Sequence, residues 1–194
     1  MNPRTRFAAI LGSGFVAGII AVAVLYENSG DDVQHVPPPQ LDKFELTADH
    51  PMVADLAFED GAGKPTSIAA FRGRVLLLNL WATWCAPCVA ELPALARVQT
   101  ALSAEKFQVL PVDMEKLEAA KVAAFLKEHG SENLPVYIDR NLAVMRGFEA
   151  FALPFTVLID ADGREIGRAS GPQEWDHPDV LAYLRGLARQ PAAP

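Results

Sequence analysis

Two apolar segments and the periodic segment between them give the clearest structural signal in the chain. The stretch RVLLLNLWA, from Arg74, is an unbroken apolar run, which is typical of a strand buried on both faces. The stretch KFQVLPV, from Lys106, predicts a second buried strand. Between them lies a stripe of side chains at helical spacing, formed by Cys88, Leu92, Leu95 and Leu102. Together these segments predict a β-α-β unit.

Weaker patterns extend this unit on both sides. A short apolar segment at residues 56–58 precedes the turn-rich EDGAGKP, and LPVYID, from Leu134, predicts a third strand. The stretch PFTVLIDADGREIGRAS predicts a hairpin that turns at residues 160–163. Further helices are indicated by Val122, Phe125, Leu126 and His129 before Gly130, by residues 142–148, and by Val180, Tyr183, Leu184 and Leu187. This order predicts an α/β domain whose helices cover both faces of a mixed sheet.

The N-terminal part of the chain has a different pattern. Residues 7–26 form a stretch of twenty residues without a charge. A helix of that length rises about 30 Å, the thickness of the hydrocarbon core of a bilayer. Arg4 and Arg6 precede the segment and acidic residues follow it, so the positive-inside rule places the N-terminus in the cytoplasm. We therefore expect one transmembrane anchor, with the rest of the chain outside the cytoplasm.

A cleaved signal peptide is the alternative interpretation of this segment. The apolar region of a signal peptide is usually about 7–15 residues long, and the A-x-A sequence at residues 21–23 lies inside the apolar run. Residues 27–42 contain charges, glycine and three consecutive prolines, which favour an extended tether. The sequence thus predicts a cytoplasmic stub (1–6), a transmembrane anchor (7–26), a proline-rich tether (27–42) and a folded domain (43–194).

Composition and charge exclude several functions. Of the 194 residues 51% are hydrophobic, which is too apolar for a disordered chain. The net charge of −7 and the absence of a run of Lys or Arg argue against nucleic acid as a partner. Two cysteines allow at most one internal bridge, so the chain is not a disulfide-rich scaffold.

Both cysteines belong to the stretch NLWATWCAPCVAELP, in which Cys85 and Cys88 are separated by two residues. The predicted helix begins at this pair, so unpaired backbone N–H groups and the helix dipole favour a thiolate at Cys85. Such sites lower a thiol pKa from about 8.5 into a range of about 3.5 to 7.5. Cys88, one turn later, is then able to attack a mixed disulfide formed by Cys85. Pro87 suits the first turn, and Pro93 is expected to kink the helix.

Two other interpretations of the cysteine pair are weaker. A zinc site usually needs four Cys or His ligands, and the histidines are scattered along the chain, at His35, His50, His129 and His177. A purely structural bridge gains little from closing so short a loop, because stabilisation grows with loop length. Thiol:disulfide exchange is the function that this spacing favours.

A longer motif surrounds the pair. FRGRVLLLNLWATWCAPCVAELP is similar to the F-x-G-K-x-x-x-x-N-F-W-A-T-W-C-x-P-C-x-x-E-x-P pattern of TlpA-like thiol:disulfide interchange proteins, membrane-anchored relatives of ResA and CcmG. LPFTVLID and an extra helix and strand at about residues 117–139 support the resemblance, which covers about residues 44–189. It implies a thioredoxin fold with an N-terminal β-hairpin and an α-β insertion, preceded by one transmembrane helix.

The resemblance implies roles for individual residues. Cys85 is the attacking and Cys88 the resolving thiol of a redox-active disulfide, as the helix position also suggests. Glu91 falls where these proteins keep an acidic residue that moves protons or tunes thiol pKa values. The alternative is that Glu91 is an ordinary surface carboxylate in the first helical turns.

Pro154 matches the cis-proline of the superfamily, which lets the backbone of Leu153 pair with a bound polypeptide. The sequence departs from the common x-P-T pattern here, because Phe155 follows the proline and Thr156 comes one place later. That departure concerns the shape of the substrate groove. The expected substrate-binding residues are Trp84, Ala86, Pro87 and Leu153. Trp81 and Trp84 are both candidates for the core, but Trp84, next to Cys85, is expected to shield the thiol and offer an apolar contact surface.

The resemblance also implies a place and a direction of reaction. We expect a single-pass protein of the bacterial inner membrane whose periplasmic domain reduces disulfides of dedicated protein partners. Copper-binding factors of cytochrome oxidase assembly are the favoured substrates, and apocytochrome c, as in CcmG- and ResA-like proteins, is the alternative. Electrons would come from an upstream membrane thiol reductant. The sequence has no flavin or nicotinamide fingerprint, so no cofactor is expected.

Other functions are kept as alternatives. An anchored Cu(I)-binding module would use the two soft thiolates, although no Met or His occurs between Trp81 and Gln108. A general oxidant of the DsbA type is disfavoured because the large helical insertion of that family is missing. A non-catalytic docking domain would tolerate a Cys85→Ser substitution.

Overall fold

Residues 36–190, the part of the chain that the computed structural model describes, contain an eight-stranded mixed sheet. The strands are β1 (Phe44–Leu46), β2 (Ala57–Asp60), β3 (Pro65–Ser67), β4 (Val75–Trp81), β5 (Phe107–Asp113), β6 (Tyr137–Ile138), β7 (Phe155–Ile159) and β8 (Glu165–Ser170). Their order across the sheet is β1-β8-β7-β4-β5-β6-β2-β3. The helices are α1 (Ala86–Ala101), α2 (Ala119–Glu128), α3 (Ala143–Gly147) and α4 (Pro178–Arg189), with a short 3-10 helix at Ile68–Phe71.

The predicted anchor at residues 7–26 lies outside the described residues, as does most of the predicted tether. No helix within residues 36–190 has the length and apolar character needed to span a bilayer. The compact unit begins at Pro37, and Leu41 is already buried in its core.

The centre of the sheet is the predicted β-α-β unit. All seven residues of β4 are buried, and β4 pairs in parallel with β5 through the crossover helix α1. On its other side β4 pairs antiparallel with β7, which forms the predicted hairpin with β8. The β2–β3 hairpin and the inserted α2 and β6 complete the predicted arrangement.

Helices and loops cover both faces of the sheet, as predicted. One face packs against α1, α2 and α4, and its core contains both cysteines. The other face packs against α3, the 3-10 helix and Phe58 of β2. Because side chains alternate along a strand, neighbouring residues of β4 belong to different faces: Leu77 and Trp81 to the first, Leu78 and Leu80 to the second. We call these the helix-covered face and the α3 face.

Two predicted elements are shorter than the sequence pattern suggests. The third strand is reduced from LPVYID to β6, because the N–H of Leu134 is bonded to the carbonyl of Ser131 in a turn and the chain reaches the sheet at Tyr137. The helix expected at residues 142–148 is α3, of five residues. It begins after Leu142, whose φ of 54° lies in the left-handed region, so the helix does not extend back to that residue.

Candidate active site

The two cysteines lie at the start of α1, directly after β4. They are joined by a disulfide with an S–S distance of 2.03 Å. Cys85 is the N-cap residue, and its Sγ accepts a hydrogen bond from the backbone N–H of Cys88 at 3.3 Å. Cys85 is 5% exposed and Cys88 1% exposed, so both residues are buried and Cys85 is the slightly more exposed of the two. The local geometry is the one predicted for a stabilised thiolate at Cys85.

Glu91 lies one turn after Cys88 on α1, and its side chain is buried rather than exposed. One carboxylate oxygen accepts a hydrogen bond from Asn79 Nδ2 at 2.7 Å, and the other accepts from the backbone N–H of Gln173 at 3.1 Å. Asn79 Nδ2 also donates to Thr156 Oγ1 at 3.0 Å. The carboxylate is therefore held by groups from β4 and from the loop after β8, and Thr156 of β7 completes the network.

The environment of Glu91 changes its protonation. Burial raises its pKa to about 7, and the hydrogen bonds from Gln173 and Asn79 oppose that rise because they favour the ionised form. The Trp175 indole also lowers the pKa of Glu91, although its N–H has no acceptor within hydrogen-bonding distance in residues 36–190. A carboxyl group that titrates near neutral pH is suited to both taking and giving a proton. The surface interpretation of Glu91 does not fit its 4% exposure.

The loop before β7 contains the predicted proline. The peptide bond between Leu153 and Pro154 is cis, and the Pro154 carbonyl accepts a hydrogen bond from the N–H of Gly171 at 2.8 Å. The Leu153 side chain packs against the cluster that contains both cysteines. This loop and the loop that carries Gln173 are therefore bonded to each other, and both contact the site.

The departure from the x-P-T pattern has a structural explanation. Phe155 is buried on the α3 face, whereas Thr156 points to the helix-covered face and joins the Glu91 network. Asn79 and Thr156 are direct partners in the β4–β7 register. The threonine one place later thus contacts Glu91 through Asn79.

Exposed apolar side chains occur next to the cysteines in the chain and in the loop before Pro154. Trp84 is 71% exposed, and Ala86 and Pro87 are also exposed. Phe151, three residues before Pro154, is 93% exposed, the largest exposed fraction among the large hydrophobic residues of the described chain. Trp81, by contrast, is 1% exposed and belongs to the core. Exposed aromatic rings are a common means of contacting a polypeptide.

Several groups of this site were missed in the sequence. Asn79 is part of a stretch described as unbroken apolar, yet it is fully buried and bonded to Glu91. A polar residue in the middle of a buried strand needs a partner, so Asn79 itself was a usable signal. Gln173 gave none, because it contacts Glu91 through its backbone N–H.

A second buried carboxyl group lies at the end of β5. Burial, with the neighbouring Glu115 charge, raises the pKa of Asp113 to about 6. One of its oxygens accepts from the N–H of Glu115 at 2.9 Å, and the other is buried without a partner among the described residues. Within residues 36–190 there is no group of three or more His, Cys, Asp or Glu side chains suited to hold a metal ion.

A CxxC disulfide at a helix N-terminus, beside a buried carboxyl group and a cis-proline loop, defines a class of protein, the thiol:disulfide oxidoreductases with a thioredoxin-like fold. The comparisons with known proteins agree. The family model described as Redoxin matches residues 47–184, and the chain belongs to this family.

Named relatives place the chain more closely. It is 28% identical over 132 residues to the thiol-disulfide oxidoreductase ResA of Bacillus thuringiensis subsp. konkukian, covering 68% of this chain and 73% of the relative. It is 28% identical over 194 residues to the thiol:disulfide interchange protein DsbE of Vibrio cholerae, covering 97% of this chain and 98% of the relative. The chain is a thiol:disulfide oxidoreductase of the ResA/DsbE type.

A solved structure shows the same fold. The crystal structure of a DsbE-type thiol:disulfide interchange protein from Chlorobium tepidum has a TM-score of 0.61 and 25% sequence identity to this chain. The alignment covers 72% of this chain and 99% of that protein.

Proposed function

We propose that the protein reduces disulfides of dedicated protein partners outside the cytoplasmic membrane. The observation that carries this proposal is the disulfide of Cys85 and Cys88 at the N-terminus of α1, with the buried Glu91 one turn behind it. Residues 7–26 would anchor the chain in the bacterial inner membrane, residues 1–6 would be cytoplasmic, and residues 27–42 would tether the periplasmic domain at 43–194.

The reaction begins with the reduced protein. The Cys85 thiolate attacks one sulfur of the substrate disulfide, the substrate S–S bond breaks, and the second substrate sulfur leaves as a thiolate that takes up a proton. Cys88 then loses its proton and attacks Sγ of Cys85. This releases the first substrate sulfur and forms the Cys85–Cys88 disulfide, the state seen in the structure. Two electrons pass to the substrate, and an upstream membrane thiol reductant returns them.

Glu91 is the proposed proton acceptor for Cys88. Residues three apart on a helix are neighbours on its surface, so the Glu91 side chain is proposed to lie on the same side of α1 as the resolving thiol. With a pKa of about 7, Glu91 takes the Cys88 proton and returns it to the departing substrate thiolate. No bond to a metal or an organic cofactor enters this cycle.

The substrate is proposed to bind across the cysteines. The backbone of Leu153, before the cis-Pro154, would pair with an extended polypeptide, and the exposed Trp84, Ala86 and Pro87 would contact apolar side chains beside the substrate cysteine. Pro154 fixes the course of this loop, since its carbonyl is bonded to Gly171. Cys85 is the proposed entry point because it is the more exposed of the two cysteine residues.

Two substrate classes follow from the resemblance to cytochrome biogenesis proteins. Copper-binding factors of cytochrome oxidase assembly are suggested by the similarity to TlpA-like proteins. The similarity to ResA-named relatives supports the alternative, apocytochrome c with its CxxCH cysteines. Both present a pair of cysteines in a polypeptide, so the same site serves either.

Trapping of the mixed disulfide tests the proposal. In a Cys88→Ser variant of the full-length chain, Cys85 has no resolving partner, so mixed disulfides with substrates are expected on a non-reducing gel. A Cys85→Ser, Cys88→Ser double variant is the control and should trap none. A Cu(I)-binding module would instead copurify with copper through both thiolates and trap nothing.

Direction is tested by the reduction potential against glutathione. A reductant should have a potential near or below about −200 mV, whereas a value near the −120 mV of a strong oxidant such as DsbA would contradict reduction.

A further inference from the structure

The loop that leads into Cys85 is bonded to a second loop. Residues 82–85, which we call the redox loop, connect β4 to α1. Residues 113–115, which we call the acidic loop, follow from the end of β5. Because β4 and β5 are parallel and their last residues, Trp81 and Asp113, are direct partners, the two loops leave the same edge of the sheet side by side.

The position of Glu115 is fixed by its own backbone. The N–H of Met114 donates to the carbonyl of Trp81 at 2.9 Å, which extends the β4–β5 ladder by one residue. The N–H of Glu115 donates to Asp113 Oδ1 at 2.9 Å, and Asp113 is fully buried. The backbone of the acidic loop is therefore held beside the last residue of β4, which directly precedes the redox loop.

The Glu115 side chain reaches across to the redox loop. Its Oε2 accepts a hydrogen bond from the backbone N–H of Thr83 at 2.6 Å. Thr83 precedes Trp84 and Cys85, and the N–H of Cys85 in turn donates to the carbonyl of Ala82 at 3.1 Å. A bond at Thr83 thus holds the middle of a four-residue turn that ends at the attacking sulfur.

Within the redox loop Ala82 and Cys85 are buried, whereas Thr83 and Trp84 between them are less well packed. Trp84 is 71% exposed, so its ring contributes few core contacts that would hold the backbone of the loop. A hydrogen bond from a backbone N–H to a carboxylate is stronger than one between neutral groups, and Glu115 is half-buried, so the bond is partly shielded from water.

We infer that Glu115 is a positioning residue of the exchange reaction, which holds the backbone of Thr83 and thereby sets the placement of Trp84 and Cys85 for an incoming polypeptide disulfide. This inference rests on the proposed function. Glu115 acts through the redox loop and touches neither the reacting sulfurs nor the substrate.

The distinctive feature of this role is that it requires a side chain long enough to reach the Thr83 N–H, while the negative charge only strengthens the bond. Glutamine keeps an oxygen at the same distance from the backbone, so Glu115→Gln retains an acceptor for the Thr83 N–H. Aspartate keeps the charge but is one methylene shorter, so Glu115→Asp loses the bond. Glu115→Ala loses both. If a negative charge near the thiols were the important property, the Glu115→Asp enzyme would behave like the wild type and the Glu115→Gln enzyme would be impaired.

The experiment uses the full-length chain with dithiothreitol as electron donor and a synthetic peptide closed by one disulfide as substrate. We expect Glu115→Ala and Glu115→Asp to raise KM for the peptide by about three- to tenfold, with a smaller change in kcat. Glu115→Gln keeps a neutral acceptor at the same reach, so its KM should rise by less than in the other two variants. Iodide quenching of tryptophan fluorescence should change in the Ala and Asp variants, because Trp84 is the exposed tryptophan of the described residues.

Glu118→Ala is the matched control. Glu118 is also a glutamate, three residues further along the chain, but its side chain makes no capping hydrogen bond at the start of α2. Its substitution should leave KM and quenching unchanged. Glu115→Asp covers the case in which Glu115→Ala does not fold.

Two results would overturn the inference: a Glu115→Asp enzyme with wild-type KM, or a Glu115→Gln enzyme as defective as Glu115→Ala. Failure of the proposed function is a different result, because the wild-type chain itself would then not reduce the peptide.

Discussion

The two faces of the central sheet differ in chemistry although they share the same strands. On the α3 face, the buried side chains of the central strands are apolar: Leu76, Leu78, Leu80, Leu110, Val112, Phe155, Val157 and Ile159. On the helix-covered face, Asn79 and Thr156 lie among apolar neighbours and bond to Glu91 of α1 or to each other. The cysteines lie on this second face as well.

This difference shows how one strand combines stability with reactivity. Leu78 and Asn79 are adjacent and both are fully buried, but alternation sends them to opposite faces. Burial of an apolar face stabilises the folded state and does not require that the side chains meet in one specific geometry. A buried polar network is costly unless every group is satisfied, and it fixes the position of its members. We therefore expect substitutions on either face to change stability, but only those on the helix-covered face to change protonation as well.

The largest effect on stability is expected for Leu78→Ala. Leu78 is fully buried on the α3 face, and truncating such a leucine usually costs about 2–5 kcal/mol of unfolding free energy. Urea unfolding of the disulfide form measures this loss. The pH profile of Cys85 alkylation in the reduced protein should be unchanged, because no titrating group of the site lies on this face.

Leu77→Ala is the matched variant, since Leu77 is the neighbouring residue, is equally buried and belongs to the helix-covered face. Its loss of stability should be of the same size. A shifted alkylation profile in Leu78→Ala would show that the two faces are not independent.

The next effect is the pH dependence of stability that Glu91 produces. Its pKa in the folded protein is about 7, above the ordinary 4.5, so the folded state binds the proton more tightly than the unfolded state does. Protonation of Glu91 therefore adds to the unfolding free energy. This contribution is complete below pH 4.5 and is lost as the pH rises to about 7. That difference corresponds to about 3 kcal/mol. In Glu91→Gln this part of the pH dependence should disappear from urea unfolding curves.

Glu105→Gln is the comparison variant, because the pKa of Glu105 is shifted in the opposite direction to that of Glu91. The bond from Arg189 lowers the pKa of Glu105, so its contribution is present at neutral pH and is lost on acidification. Removing Glu105 should therefore lower stability at neutral pH and leave the pH dependence between 4.5 and 7 in place. A Glu91→Gln variant with the wild-type pH dependence would refute the assignment of this titration to Glu91.

The sequence was informative wherever a single element decides the outcome. The apolar run of β4, the stripe of α1 and the cysteine spacing are local patterns, and the structure confirms the elements that they predict. The partners of Glu91 and Thr83 are different, because they are distant in the chain. Gln173 is 82 residues from Glu91, and Glu115 is 32 residues from Thr83. Which polar groups meet depends on register and on the faces that pack, and a pattern along the chain does not contain that information.

A smaller effect is expected for Asn79→Leu, which keeps the size of the side chain but removes the donor to Glu91. Loss of a hydrogen bond to the ionised form should raise the pKa of Glu91 further, by about one unit. The ¹³C shift of the labelled Glu91 carboxyl carbon, followed against pH, measures this change.

Asn133→Leu is the matched control for this variant. Asn133 Nδ2 likewise donates to two oxygens, the Thr100 hydroxyl and the Ala96 carbonyl. Asn133 lies outside the site. The Glu91 titration should be the same as in the wild type. An unchanged or lowered pKa in Asn79→Leu would mean that Asn79 does not favour the ionised carboxylate.

The smallest effect on stability is expected at Phe151, an exposed residue of the loop before Pro154. Phe151→Ser should change the unfolding free energy by less than about 0.5 kcal/mol, because the ring is 93% exposed. If the ring contacts a bound polypeptide, its loss should still raise KM for a disulfide peptide by about fivefold, or about 1 kcal/mol of binding energy. Leu46→Ser, at a residue 47% exposed on β1, is the control and should leave KM unchanged. Equal KM values for both variants would restrict the substrate surface to the residues next to the cysteines.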